Sequence, residues 1–213
     1  MQYTHYFFDF DYTLVDSSEG IIRCFHLALD EAGYPQVPDA NITCTIGIPM
    51  LEAVSRITGV TDEAELLRFL RIYQRYADLY MTPGTHFYAD TVATLTELKR
   101  RGAKIAIISS KTGHRILQKF TVTGTEPLID LIIGSHDVKE LKPSPEGVEL
   151  ALAQLGADRA TTLYIGDSVT DARTAQNAGL DFCGVTTGVT GKEELEKFPH
   201  VRIVARLEEL LDL

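Results

Sequence analysis

Two aspartates, Asp9 and Asp11, close the apolar run Tyr6-Phe7-Phe8 and stand two positions apart, with Thr13 behind them. On an extended strand side chains alternate with a period of two, so both carboxylates face one side. Where the backbone leaves the ladder, both can face a single ligand. Two carboxylates at that distance repel unless a cation lies between them. The pair therefore predicts either a site that gathers positive charge or a solvated acidic turn. Three further polar groups bear on the choice: Ser109-Ser110-Lys111, Lys142 in Leu141-Lys142-Pro143-Ser144-Pro145, and Gly166-Asp167-Ser168-Val169-Thr170-Asp171. Taken singly, each has a plain structural explanation. Ser109 can cap the helix that follows it, Lys142 can be a surface lysine in a proline-rich loop, and Asp167 can be an N-cap. Asp167 and Asp171, however, stand four apart on one helical face, where like charges repel.

The elements that must position these groups follow from the apolar rhythm. Ile21, Ile22, Phe25, Ala28, Leu29 and Ala32 recur at helical spacing from Ser18 to Ala32, and Gly33 ends the segment. Pro35 and Pro38 mark a loop, Pro49 opens a helix to about Thr58, and Thr61 is expected to cap a long third helix. Only helices are expected between Ser17 and Met81, and Thr82-Pro83-Gly84 reads as a hinge. Beyond it, short apolar strands alternate with helices. Strands are expected at Lys104–Ser110, Leu128–Gly134, Thr162–Ile165, Phe182–Val185 and Val201–Val204. Helices are expected at about Tyr88–Arg101, Gly113–Phe120, Pro145–Leu155, Ser168–Ala178 and Leu207–Leu211. Such alternation predicts an α/β fold with a parallel sheet covered on both faces. These sheets bind ligands beyond their strands' C-terminal ends, and all four polar groups fall there.

Composition narrows the classes. The chain has 213 residues, enough for one good-sized domain or a domain with an insert. Its net charge of −10 lacks the basic face a general nucleic-acid binder needs. Cys24, Cys44 and Cys183 are odd in number and widely spaced, with neither a disulfide framework nor zinc spacing. No secretory signal and no membrane-length apolar run is visible, so a soluble cytoplasmic protein is expected, with no nucleic acid and no membrane among its partners.

With the four groups in place, Asp9-Phe10-Asp11-Tyr12-Thr13-Leu14-Val15-Asp16 resembles the first motif of the haloacid-dehalogenase-like hydrolase superfamily. Ser109 matches its second motif, Lys142 its third, and Gly166–Asp171 its fourth. Ile46-Gly47-Ile48-Pro49-Met50, the Thr-Pro-Gly hinge and Val185-Thr186-Thr187-Gly188 are similar to the phosphoglycolate phosphatase-like branch. The resemblance implies a Rossmann-like three-layer core over 1–16 and 83–213, and an inserted four-helix-bundle cap over 17–82. It also implies that Asp9 is a nucleophile forming an aspartyl-phosphate and that Asp11 is the acid/base. Lys142 would steady Asp9 and the phosphoryl oxygens, and Ser109 or Ser110 would bind those oxygens. Mg²⁺ is the expected cofactor, with Asp9 and Asp167 as direct ligands, the Asp11 carbonyl completing the set and Asp171 acting through water.

Asp11 speaks against carbon–halogen chemistry, because halide leaves without a proton. The segment Ser17–Met81 has no lysine, which removes a Schiff-base phosphonatase. A β-phosphoglucomutase-like mutase would carry a histidine where this chain has Ile21. The expectation is a phosphatase of a small phosphorylated metabolite, phosphoglycolate-like in the lead, acting as a monomer or small homo-oligomer. A mutase, a pyrophosphatase or nucleotidase, and a non-catalytic binding module are the alternatives. Arg23, Arg56, Arg68, Arg71 and Arg75 are the cap residues available for anionic substrate groups.

Overall fold

The computed structural model describes residues 3–213. The chain runs β1 (His5–Phe8), β2 (Val15–Asp16), α1 (Ser18–Ala32), α2 (Asp39–Thr43), α3 (Met50–Thr58), α4 (Glu63–Tyr80) and β3 (His86–Phe87). It continues through α5 (Thr91–Arg100), β4 (Lys104–Ile108), α6 (Gly113–Thr123), β5 (Leu131–Ile133), α7 (Glu146–Leu155) and β6 (Thr162–Gly166). The last elements are α8 (Val169–Ala178), β7 (Asp181–Val185), α9 (Lys192–Leu195), β8 (Arg202–Val204) and a closing 3₁₀ segment, Leu207–Asp212. Two compact units result: the chain up to Val15 together with Phe87–Leu213, and Asp16–His86.

The first unit is built on a six-stranded sheet of order β5-β4-β1-β6-β7-β8, parallel at every pairing. Its strands are apolar throughout because both faces are covered, and alternate residues supply the two sides. Tyr6, Phe8, Ile105, Ile107, Leu163 and Ile165 pack with Leu95 and Leu98 of α5, Ile116 and Phe120 of α6, and Leu207 and Leu210. Phe7, Ala106, Ile108, Ile133, Tyr164 and Phe182 turn the other way, onto Val148, Ala151 and Leu152 of α7 and Ala172, Ala175 and Ala178 of α8. The small residues of α8 let that helix lie close to the sheet.

β1 sits mid-sheet, with Phe8 in register with Ile107 of β4 on one side and Ile165 of β6 on the other. The chain first builds outward through β4 and β5, then returns to the opposite side of β1 at β6. That reversal makes the switch-point crevice at which open parallel sheets hold their ligands.

The second unit is helical. Cys24, Phe25, Ala28 and Leu29 of α1 meet Phe69, Ile72, Tyr73 and Ala77 of α4, with Ile42 of α2 and Ala53 and Val54 of α3 filling the remaining sides. Phe25 and Tyr73 stand 4.8 Å apart between ring centroids. The cap of α4 differs from expectation: Asp62, not Thr61, accepts from the Glu65 N–H. A carboxylate also complements the positive end of the helix. Among the described residues, no helix is long and apolar enough to cross a membrane.

Candidate active site

The strand β1 ends at Phe8, but its ladder extends one bond further, from the Asp9 N–H to the Ile165 carbonyl at 2.9 Å. The backbone then turns sharply. The Phe10 carbonyl accepts from the N–H groups of Thr13, Leu14 and Val15, and Tyr12 adopts φ 60°. A non-glycine residue in that left-handed region costs energy unless its surroundings hold it there. Two contacts do so. Thr187 donates its hydroxyl to the Tyr12 carbonyl, and the Tyr12 N–H reaches the Val15 carbonyl at 2.7 Å. Phe10 is fully buried beneath the turn, so Asp9 and Asp11 leave the sheet on a fixed piece of backbone.

Each of the two aspartates has its own lysine. Lys142 Nζ lies 2.9 Å from Asp9 Oδ1 and donates to Asp171 Oδ1 at 2.7 Å. Lys111 Nζ donates to both oxygens of Asp11, at 2.7 and 2.9 Å. The repulsion expected of two close carboxylates is thus relieved by two separate cations, not one shared between them. The proline-rich loop does not leave Lys142 at the surface: its side chain is 5% exposed.

Asp171 is fully buried and its carboxylate is filled by protein donors. Oδ1 accepts from Lys142 and from the Tyr164 hydroxyl at 3.3 Å, and Oδ2 accepts from the Ser168 N–H and hydroxyl. Ser168 in return accepts from the Asp171 N–H, which closes a capping box at the start of α8. One residue thereby caps the helix and anchors Lys142. Asp167, one residue beyond β6, accepts from the Thr13 hydroxyl at 3.0 Å. A Cβ on Gly188 would run into the Asp167 carboxylate, so the backbone after β7 lies directly on that side chain.

The serines of the second motif are also placed at a strand end. Ser109 is buried beyond β4, its N–H held by the Ile133 carbonyl at 3.0 Å, and its hydroxyl accepts from the Lys111 N–H at 3.3 Å. Ser110 Oγ is buried with no hydrogen-bond partner. A buried hydroxyl left unpaired is costly, which marks Ser110 as an available donor to a ligand.

Carboxylate oxygens of Asp9, Asp167 and Asp171 all lie within 4.8 Å of one another. Against these three stands the single ammonium of Lys142, so the cluster carries excess negative charge in a buried place. Burial pushes the Asp9 carboxyl up to about 6 despite the pull of Lys142, and Asp171 adds to the rise. Burial likewise drives Asp167 well above the ordinary carboxylate range, with Asp171 and Asp9 pushing the same way. Lys142 moves the opposite way: burial disfavours its charge, but Asp171 and Asp9 outweigh that and raise it. Asp9 Oδ1 lacks a well-formed hydrogen bond although Lys142 is close. Buried hard oxygens, unneutralised and under-bonded, are what a divalent cation of the Mg²⁺ type satisfies. The residues present fit such an ion. Both Asp171 oxygens already accept from protein donors, so Asp9 and Asp167 are the members of the cluster that would ligate the ion directly.

Lys111, Thr13, Tyr164 and Gly188 are the parts of the site that sequence reasoning did not assign. Thr13 sat inside a motif and Lys111 beside one, but neither spacing nor residue type named a partner for them. The cap arginines are largely engaged within their own unit: Arg56 pairs with Glu52, Arg68 with Glu65, Arg75 with Glu31, and Arg23 stacks over Tyr80 at 3.8 Å.

Comparison with known proteins agrees with this geometry. The family model described as haloacid dehalogenase-like hydrolase matches residues 6–185. The pyrophosphatase PpaX of Bacillus pumilus is 30% identical over 204 residues, covering 96% of this chain and 93% of its own. The phosphoglycolate phosphatase of Yersinia pestis is 30% identical over 208 residues, covering 96% and 90%. A crystal structure from Bacteroides fragilis, of a protein named by its likeness to haloacid dehalogenase-like hydrolases, superposes with TM-score 0.94 at 45% identity. It covers 98% of this chain and 100% of that one. With its motifs at the ends of β1, β4 and β6 and its lysine between Asp9 and Asp171, the chain belongs to the haloacid dehalogenase-like hydrolases.

Proposed function

We propose that this enzyme is a Mg²⁺-dependent phosphatase that hydrolyses a small phosphomonoester through an aspartyl-phosphate on Asp9. The observation that carries the reading is the division of labour at the end of β1: Asp9 faces Lys142 and the Asp167 cluster, whereas Asp11 is held apart by Lys111. An Asp9 oxygen attacks phosphorus and the bond to the leaving oxygen breaks. Asp11 gives that oxygen its proton, so the leaving group departs as an alcohol. In the second half, water attacks the phosphorus, Asp11 takes its proton, and the bond to Asp9 breaks to release phosphate. Lys142 faces the attacking carboxylate and the phosphoryl oxygens as a fixed positive charge, held there by Asp171. Ser110 Oγ and Ser109 are the hydroxyls available to those oxygens. Bound Mg²⁺, held by Asp9, Asp167 and the Asp11 carbonyl, would supply the remaining positive charge that an anionic nucleophile meeting a phosphate requires.

Phosphoglycolate-like monoesters are the lead substrates, supported by the phosphoglycolate phosphatase relative. Inorganic pyrophosphate is the second reading, supported by the PpaX relative at the same identity. The test is phosphate release from a panel of phosphorylated metabolites and pyrophosphate, with and without Mg²⁺, for the wild type and Asp9→Asn. Mg²⁺-dependent release from one compound class, abolished in Asp9→Asn, is the expected result. Equal activity of the two proteins would overturn the reading, and interconversion of two sugar phosphates without free phosphate would make the enzyme a mutase.

A further inference from the structure

Lys111 is better held than a lysine needs to be in order to line a site. Its side chain is 9% exposed, as is that of Asp11. Its N–H donates to Ser109 Oγ and its carbonyl accepts from the Ser135 N–H at 3.0 Å. A Cβ on Gly134 would lie 2.8 Å from the Lys111 carbonyl and would collide with Gly113, so the two backbones touch where only glycine allows it. The ammonium lies 5.8 Å from the centroid of Phe10, which is itself buried. Backbone, ring and carboxylate together give this flexible side chain a single place.

From this we propose that Lys111 is a positioning residue for Asp11, fixing the orientation in which the acid/base meets the leaving oxygen. The inference rests on the acid/base reading of Asp11 and deepens it. In the ionised form, the one that takes the proton of water, one ammonium donates to both Asp11 oxygens and fixes the plane of the carboxyl as well as its distance. When Asp11 carries the proton, its unprotonated oxygen keeps Lys111 as donor and the hydroxyl is left to the leaving oxygen. An acid/base a fraction of an ångström out of place loses much of its effect. Lys142 cannot stand in, because Asp9 and Asp171 already engage it.

The experiment compares kcat/KM for an alkyl phosphate and for p-nitrophenyl phosphate, whose leaving group departs without a proton. It uses Lys111→Met, Lys111→Arg, Asp11→Asn and the Lys111→Met/Asp11→Asn double variant, with thermal melts confirming that each is folded. Asp11→Asn should lose roughly 100-fold or more on the alkyl ester and far less on the aryl ester. Lys111→Met should show the same bias, roughly 10-fold or more, with Lys111→Arg partly restored, and the double variant should be no worse than Asp11→Asn. Should Lys111→Met fold poorly, Lys111→Gln carries the same comparison. Equal losses on both esters, or losses that multiply in the double variant, would show that Lys111 acts on substrate independently and would overturn the proposal. If Asp11→Asn itself treats the two esters alike, the acid/base assignment fails first, and the role of Lys111 falls with it.

Discussion

At the residue scale, the site depends on charges that hold one another. Asp171 does not face the reacting phosphorus in the proposed mechanism, yet its charge secures Lys142. Asp171→Asn keeps the shape and removes the anion, so Lys142 loses its stronger partner and one Ser168 donor meets an amide that cannot fully answer it. Activity is expected to fall roughly 10- to 100-fold with the fold retained, as substitutions behind ligating or catalytic groups commonly produce. Steady-state kinetics beside circular dichroism would check this, and unchanged kcat would remove Asp171 from the working set. The aspartates were legible in the sequence because four polar groups recur in order at the ends of apolar strands and together repeat a known pattern. Lys111 was not, since a lysine after two serines at a loop has the same type and spacing as any solvated lysine. Its partner, Asp11, is brought to it only by the pairing of β1 with β4.

At the scale of elements, two short pieces of chain decide the geometry. The capping box at α8 ties helix formation to the site. Ser168→Ala removes the cap and one donor to Asp171, and is expected to cost about 1 kcal/mol of stability, read as a lowered thermal midpoint. The backbone after β7 touches Asp167, so Gly188→Ala must push either the loop or the carboxylate aside. Mg²⁺ affinity measured by calorimetry is expected to weaken several-fold in that variant, with little change in the far-ultraviolet spectrum. Undiminished affinity would show that the loop yields freely. Elements of this size were the hardest to foresee. β2 and β3 are two residues each and pair with one another, too short for any period to register. The five-residue α2 lies just past Pro38 in a stretch that reads as a loop, and α9 covers four residues. By contrast, the long helices and the buried strands were readable, because their apolar spacing persists over several turns or fills both faces of a sheet. The strand expected at Leu128–Gly134 shortens to Leu131–Ile133, since Glu126–Leu128 forms a 3₁₀ turn around Pro127.

At the scale of the whole molecule, the helical unit and the sheet each have a consequence of their own. In the helical unit, His26 offers Nε2 to Asp39 at 2.6 Å and Nδ1 to Gln36 Oε1, while Gln36 Nε2 donates to the His26 carbonyl. Two acceptors around one ring call for the doubly protonated imidazolium. The hydrogen bond to Asp39 raises His26 above its ordinary 6.5, against a smaller opposing effect of burial. A raised folded value stabilises fully below 6.5, and the stabilisation is lost as pH climbs through the folded value. The difference in thermal midpoint between wild type and His26→Asn should therefore shrink from about pH 5 to about pH 9, and a flat difference would refute the pairing. Finally, the place of β1 in the sheet has a consequence for the making of the protein. His5 pairs with Lys104 and with Thr162, so β1 is completed by strands that emerge from the ribosome long after it. The core of the helical residues is drawn from one contiguous stretch, Ile21 to Met81, whose contacts can form early, while Tyr6-Phe7-Phe8 waits with both edges open. Asp9 is made long before Asp167 and Asp171, so a nascent chain stalled before Gly166 holds Asp9 and Lys142 without the two carboxylates that complete the cluster.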